Sequence, residues 1–264
     1  MSKTLRVLIT GAARGIGMAT ARVLANRGHS VVATDVSALS GSEGIQAHVL
    51  DVTSDDSVAR CLEEVGPLDA IVNNAGIFGG GPVEGYPLDR FRQMFETNAL
   101  GALRVIQAVL PAWRKRGSGV IVNVSSVNGR ISSPLGAAYS ASKFALEAVT
   151  ESLHLEMRHF GIRSVLIEPG TIATGIKAIE PHKGPAEYAG LWEQWAGANT
   201  KMTGPSGGTG PEVVALAIAS AIEDPATPLR VPVGQDAEMI LSLRRSLDDQ
   251  AFEDAMRKAV GLTW

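Results

Sequence analysis

The chain has 264 residues, 45% of them hydrophobic and 19% charged, with a formal net charge of −3; that is apolar material for one core in a single domain over residues 1–264. The slight negative balance and the absence of a Lys/Arg cluster argue against nucleic acid as a partner. No apolar run reaches the ~18 residues of a membrane span, residues 1–10 lead into a strand without a signal-peptide pattern, and the single cysteine, Cys61, closes no intrachain disulfide, so a cytoplasmic protein is expected.

Residues 5–10 read as a strand, followed by Gly11-Ala12-Ala13-Arg14-Gly15-Ile16-Gly17 and a helix over 18–27 stopped by Gly28. Strand, glycine turn and helix suit a dinucleotide. Glycine lets backbone approach a pyrophosphate and turn without Cβ clashes, while the helix N-terminus meets the negative charge. The second strand, 29–34, ends at Asp35, where a carboxylate can accept both hydroxyls of an adenosine ribose and repel the extra phosphate of NADP. Arg14 points the other way, since a guanidinium can hold that phosphate bidentately. A dianion against a carboxylate at contact distance costs several times what one exposed arginine returns, so NAD is expected over NADP.

A third strand over 46–50 ends in Asp51-Val52, a helix covers 55–65, and a strand over 68–72 ends in Asn73-Asn74-Ala75-Gly76. Asparagines at a strand end can tie neighbouring strands through side-chain to backbone bonds, and Ala75-Gly76 leaves room for a cofactor ribose. Residues 88–116 are helical, broken by Gly101 and strained by Pro111, and carry Asn98, unfavourable in mid-helix by propensity. The β-branched run 120–124 reads as a buried parallel strand that places Ser126 at its carboxyl end, where ligands gather in such sheets. The next helix, ending near 160, opens with Tyr139 and Lys143 at i and i+4, on one face, where an ammonium can stabilise a phenolate for acid/base work.

A strand over 162–167 leads to Pro169-Gly170-Thr171-Ile172-Ala173-Thr174. In 175–210, Tyr188, Leu191, Trp192 and Trp195 form an apolar stripe at helical spacing between glycine-rich flanks, either a hinged lid over a hydrophobic substrate or a helix packed on the core. A helix over 211–222, a strand over 229–233 and a helical tail over 236–260 complete the chain. The histidines have no ligand-like spacing, and no metal is expected.

Ser126, Tyr139 and Lys143 at these intervals, with Gly11-x-x-x-Gly15-x-Gly17 and Asn73-Asn74-Ala75-Gly76, resemble the short-chain dehydrogenases/reductases, and residues 139–147 and 161–170 look closest to their 17β-hydroxysteroid and retinol dehydrogenase-like branch. The resemblance implies an α/β Rossmann-type, doubly wound parallel sheet with helices on both faces. It implies that Asp51 and Val52 meet the adenine, that Asn98 holds a water in a proton relay, and that Pro169, Gly170, Ile172 and Thr174 border the nicotinamide. The activity implied is hydride transfer between NAD and an alcohol or carbonyl carbon of a hydrophobic substrate. Tyr139 would be the phenolate that takes the proton, Lys143 would lower its pKa and bond the nicotinamide ribose, and Ser126 would hold the substrate oxygen. The rivals are an NADPH-dependent carbonyl reductase and an NAD(H)-binding regulator without turnover. Apolar residues on a second face of two helices (Leu100, Leu103, Ile106, Leu110; Ala141, Ala145, Val149, Leu153) call for a covering partner, and the resemblance implies that these helices pair in the four-helix interface of a homodimer or homotetramer.

Overall fold

The computed structural model describes residues 4–173, 176–203 and 208–264. In chain order it runs β1 (Arg6–Thr10), α1 (Gly15–Asn26), β2 (Ser30–Asp35), β3 (Ile45–Val49), α2 (Asp55–Val65), β4 (Ala70–Asn73), β5 (Ile77–Phe78) and α3 (Leu88–Phe95). It continues through α4 (Gly101–Arg116), β6 (Gly119–Val124), α5 (Ala137–Met157), β7 (Ile162–Pro169) and β8 (Lys177–Ala178). The remainder is α6 (Ala189–Thr203), α7 (Pro211–Glu223), β9 (Arg230–Val233), α8 (Gln235–Ser246) and α9 (Asp249–Val260). Seven strands form one parallel sheet in the order β3-β2-β1-β4-β6-β7-β9, and β5 pairs with β8 apart from it.

Side chains alternate across a strand, and here both faces are covered, which is why the strands read as continuous apolar runs. Val7, Ile9, Val31, Val72, Val122 and Ile167 point to one layer, closed by α1 and α7 through Leu24, Val214 and Ile218. Leu8, Val32, Ile71 and Ile121 point to the other, closed by α2, α4 and α5 through Val58, Val105, Trp113 and Leu153. Cys61 belongs to this second layer, its thiol pushed up to about 11 chiefly by burial. The chain lays β1, β2 and β3 outward, then returns to place β4 on the opposite side of β1. Connections therefore leave β1 and β4 in opposite directions, and a crevice opens beyond their carboxyl ends.

Three expectations need correction. The helix over 88–116 is interrupted by a π-helical turn at Glu96–Leu100, before Gly101, and α4 runs on through Pro111. Gly101 serves packing instead, for a Cβ there would stand 2.7 Å from Val52 Cγ2. The tail is two helices, because Asp248 caps a new one by accepting the Ala251 N–H at 2.8 Å. Ile106 and Leu153 pack into the core, so they are not part of a second helix face; Leu100 remains 41% exposed and Phe144 44%.

Candidate active site

A cavity of about 1040 Å³ lies beyond the carboxyl ends of β1, β2, β4, β6 and β7. Gly11, Arg14, Gly15 and Ile16 line it, with α1 starting at Gly15 so that its free N–H groups face the cavity. Gly11 (φ 66°) and Gly15 (φ 55°) occupy the left-handed region. A Cβ on Gly11 would stand 2.8 Å from Ala75 Cα. Gly17 lies beneath the turn, where a Cβ would run into the Gly11 carbonyl and the Asn74 amide. Asn74 Nδ2 donates to the Thr10 and Gly11 carbonyls, both at 2.9 Å, tying the turn to β4. Asn73 Nδ2 donates to Asn123 Oδ1 at 2.8 Å, and Asn123 Nδ2 to Thr150 Oγ1 at 2.8 Å, joining β4, β6 and α5. The asparagines thus do the structural work expected of them.

Asp35, Asp51, Val52, Asn74, Ala75 and Gly76 also line the cavity. Asp35 is held there by the N–H groups of Ala13 (3.1 Å) and Ser37 (3.2 Å), while Arg14 is exposed at the rim. A nicotinamide dinucleotide fits this set, because the turn has no space for side chains, the helix end complements a pyrophosphate and a fixed carboxylate stands at the end of the neighbouring strand β2.

Ser126 leaves the end of β6 and accepts the Asn128 N–H at 3.1 Å. Tyr139, 9% exposed, is hydrogen-bonded to the Ser126 hydroxyl and packs edge-on against Phe78, with ring centroids 5.1 Å apart. Lys143, 4% exposed, donates to the Val124 carbonyl at 2.8 Å, its Nζ 5.8 Å from the Tyr139 ring centroid. Burial pushes the Tyr139 phenol up to about 12, against the lowering effect of Ser126. Burial likewise pushes Lys143 down to about 8, against the raising effect of Glu147. Lys143 stands over the ring and commits a proton to Val124, and burial is the largest influence on the phenol, so Tyr139 does not show the lowered proton affinity that its pairing with Lys143 leads one to expect.

Asn98 does not line the cavity. In the π-helical turn and 1% exposed, it accepts the Ile77 N–H at 2.8 Å and donates to the Ile77 carbonyl (2.9 Å) and Ser142 Oγ (3.0 Å). Both amide hydrogens are therefore engaged, and the side chain locks β5, which carries Phe78 beside Tyr139.

Pro169, Gly170 and Ile172 line the cavity; Thr174 lies outside the described residues. A Cβ on Gly170 would run into the Asp236 carboxylate, which accepts the Thr171 N–H at 2.7 Å. Asp236, also on the cavity wall, is a residue sequence reasoning missed, since it opens a helix with no motif around it. The far wall is largely apolar, with Trp195 of α6, Phe252, Met256 and Val260 of α9 and Leu262, and also carries the Glu253–Arg257 ion pair of α9. The i, i+4, i+8 spacing of Phe252, Met256 and Val260 was the available signal for that face. The stripe on α6 divides. Leu191 is buried, Trp195 reaches the cavity, Trp192 Nε1 donates to the Lys183 carbonyl at 3.0 Å, and Tyr188 stacks on Trp264 with centroids 6.3 Å apart. Gln194 Oε1 accepts the N–H groups of Thr263 (3.0 Å) and Trp264 (3.2 Å), so the segment after α9 is bound to α6. Among the described residues no group of three or more His, Cys, Asp or Glu is placed to hold a metal ion, and no helix is long and apolar enough to cross a membrane.

The short chain dehydrogenase family model matches residues 5–183. The uncharacterised oxidoreductase YusZ of Bacillus subtilis is 33% identical over 98% of this chain and 99% of its own. Human retinol dehydrogenase 8 is 41% identical over 64% of this chain and 59% of its own. The crystal structure of a short chain dehydrogenase from Burkholderia cenocepacia in complex with NADP superposes with a TM-score of 0.80 at 25% identity, covering 97% of this chain and 99% of that one.

Proposed function

The chain belongs to the short-chain dehydrogenase family, an oxidoreductase family acting on CH–OH donors, and on that premise we propose that it moves a hydride between NAD(H) and the alcohol or carbonyl carbon of a hydrophobic small molecule. The observation that carries the reading is the convergence of Ser126, Tyr139 and Lys143 on one wall of the cavity, between the glycine cradle and the apolar wall of Trp195, Phe252 and Met256. The nicotinamide ring supplies the hydride chemistry when bound. Ser126 and the Tyr139 hydroxyl polarise the substrate oxygen where charge develops. Tyr139 gives its proton to that oxygen in reduction and removes it in oxidation. Held up to about 12, it is in donor form at neutral pH, so oxidation gains rate as pH rises and reduction loses it. Lys143 would hold the nicotinamide ribose when the cofactor is bound, and Asn98 positions β5 behind the reacting group.

Asp35 supports NAD because its carboxylate, pinned by two backbone N–H groups, cannot easily leave the path of a 2′-phosphate. Arg14 and the NADP of the Burkholderia relative support the alternative. Resemblance to the retinol dehydrogenase branch and the apolar far wall support a hydrophobic alcohol or ketone. Enclosure of the one cysteine in the core is in keeping with a cytoplasmic setting, and exposed Leu100, before α4, with Phe144 and Leu155 of α5, with a homodimer or homotetramer.

The test is turnover of an alcohol and ketone panel with each cofactor, with Tyr139→Phe alongside. NAD(H) should exceed NADP(H) by at least ~10-fold in kcat/KM, which needs only about 1.4 kcal/mol of discrimination. Tyr139→Phe should bind NADH and lose at least ~10²-fold in rate. Equal use of both cofactors would overturn the role of Asp35, and a fully active Tyr139→Phe the mechanism.

A further inference from the structure

Behind the Tyr139 and Lys143 face lies a buried charge cluster that the mechanism above does not use. Glu147 is one helical turn beyond Lys143 on α5 and is 4% exposed; Glu168, at the end of β7 beside Pro169, is 1% exposed. Arg230 of β9 donates from Nε to Glu147 Oε2 at 2.9 Å, reaches Glu151 at 3.1 Å and stands 3.7 Å from Glu168. Arg130, just after the Ser126 turn, pairs with Glu168 at 3.3 Å. Gly129 is pressed onto Glu147, since a Cβ there would lie 2.9 Å from Glu147 Cγ. The cluster therefore touches the backs of the three elements that carry Ser126, Lys143 and Pro169.

Two features single out Glu147. Its Oε1 is buried and, among the described residues, without a hydrogen-bond partner. Lys143, for its part, is buried with one carbonyl bond and, among the described residues, no direct ion pair. A buried ammonium and a buried, half-used carboxylate on one helical stripe compensate each other through charge rather than contact. We infer that Glu147 is a positioning residue for Lys143: its carboxylate, balanced from the other side by Arg230, keeps Lys143 an ammonium facing the cofactor end of the cavity. Glu147 also acts in the direction required, raising Lys143 against the desolvation that lowers it. Without its charge, Lys143, Arg130 and Arg230 would be left around one buried carboxylate, Glu168, whose own proton affinity is already raised by burial and by Glu147, with the exposed Glu151 beyond. Tyr139 on the same helix and the Val124 carbonyl of β6 complete the groups facing Lys143.

This inference rests on the catalytic reading of Lys143, and its test separates the two. The Lys143 titration is followed by NMR of its ¹³Cε in protein without cofactor, in wild type, Glu147→Gln and Arg230→Gln. Glu147→Gln should lower the midpoint by at least ~1 pH unit, a tenfold change in proton affinity, whereas Arg230→Gln, which removes a cation and leaves the carboxylate, should raise it. Breaking a merely structural ion pair from either side would move both variants alike. Shifts of the same sign, or none, would overturn the inference, and if Glu147→Gln does not fold, a downward or absent shift in Arg230→Gln does so alone. In the holoenzyme the alkaline limb of the kcat/KM profile should move with the midpoint in each variant. A wild type without turnover on the alcohol and ketone panel overturns the catalytic reading itself, while a titration that moves without the limb overturns the link from Glu147 to catalysis.

Discussion

Lys143 illustrates how a reactive residue is held at the expense of the fold. Its proton affinity falls from the ordinary 10.5 to about 8. Between those values the unfolded chain binds more protons than the native one, so stability rises as pH climbs from about 8 towards 10.5, and below 8 the native protein carries the full cost of the buried charge. That cost is at most roughly 3 kcal/mol at neutral pH. Replacing Lys143 with Met, similar in length but apolar, should therefore raise the Tm of the cofactor-free protein at pH 7 while turnover collapses. Calorimetry of the two proteins decides it, and a lower Tm in the variant would mean that the Val124 hydrogen bond outweighs the charge. Tyr139, shifted the other way to about 12, binds more protons in the native state between pH 10 and 12, and its contribution is lost across that range.

Among the elements, the amino-terminal ends of β4 and β6, opposite the cavity, serve packing. Trp113 of α4 donates its indole N–H to the Leu68 carbonyl at 2.9 Å, and its ring covers the start of β6 so closely that a Cβ on Gly119 would run into it. Gly119→Ala should cost ~1–3 kcal/mol in denaturant unfolding through overpacking, yet leave NADH affinity of the folded protein unchanged. A weakened affinity would show that strain crosses the sheet. The site was legible where chemistry imposes local spacing: Gly11 to Gly17, Asp35, Ser126 and the Tyr139/Lys143 pair each stand at a strand end or helix start, where backbone geometry makes residue choice narrow. It was not legible where partners are brought together by tertiary folding. Asp236 meets Thr171 only because β7 and β9 pair, and α9 becomes a cavity wall only by docking on α6. The end of α8 was missed for a plainer reason, since Asp248 is an ordinary capping signal and a periodic apolar pattern ran past it. The saturation of Asn98 by Ile77 depends on a π-helical turn that propensity does not encode.

For the whole molecule, Leu100, at the end of the π-helical turn before α4, and Phe144 of α5 remain exposed although Ile106 and Leu153 turn inward. Light scattering at micromolar concentration should report a dimer or tetramer, and a 27.6 kDa species at every concentration would remove the proposed interface. The strand order has a consequence for assembly in time. The first three strands are neighbours both in sequence and in the sheet, so the early part of the chain can gather itself through local crossovers, α1 between β1 and β2 and residues 36–44 between β2 and β3. The crevice, however, exists only once β4 has come back to β1, with Asn74 closing the seam through Thr10 and Gly11. That closure spans a long stretch of chain and is slow for entropic reasons. A chain in which only these first strands have paired thus owns no binding site, and a cofactor that needs the closed seam can stabilise the fold only after that closure.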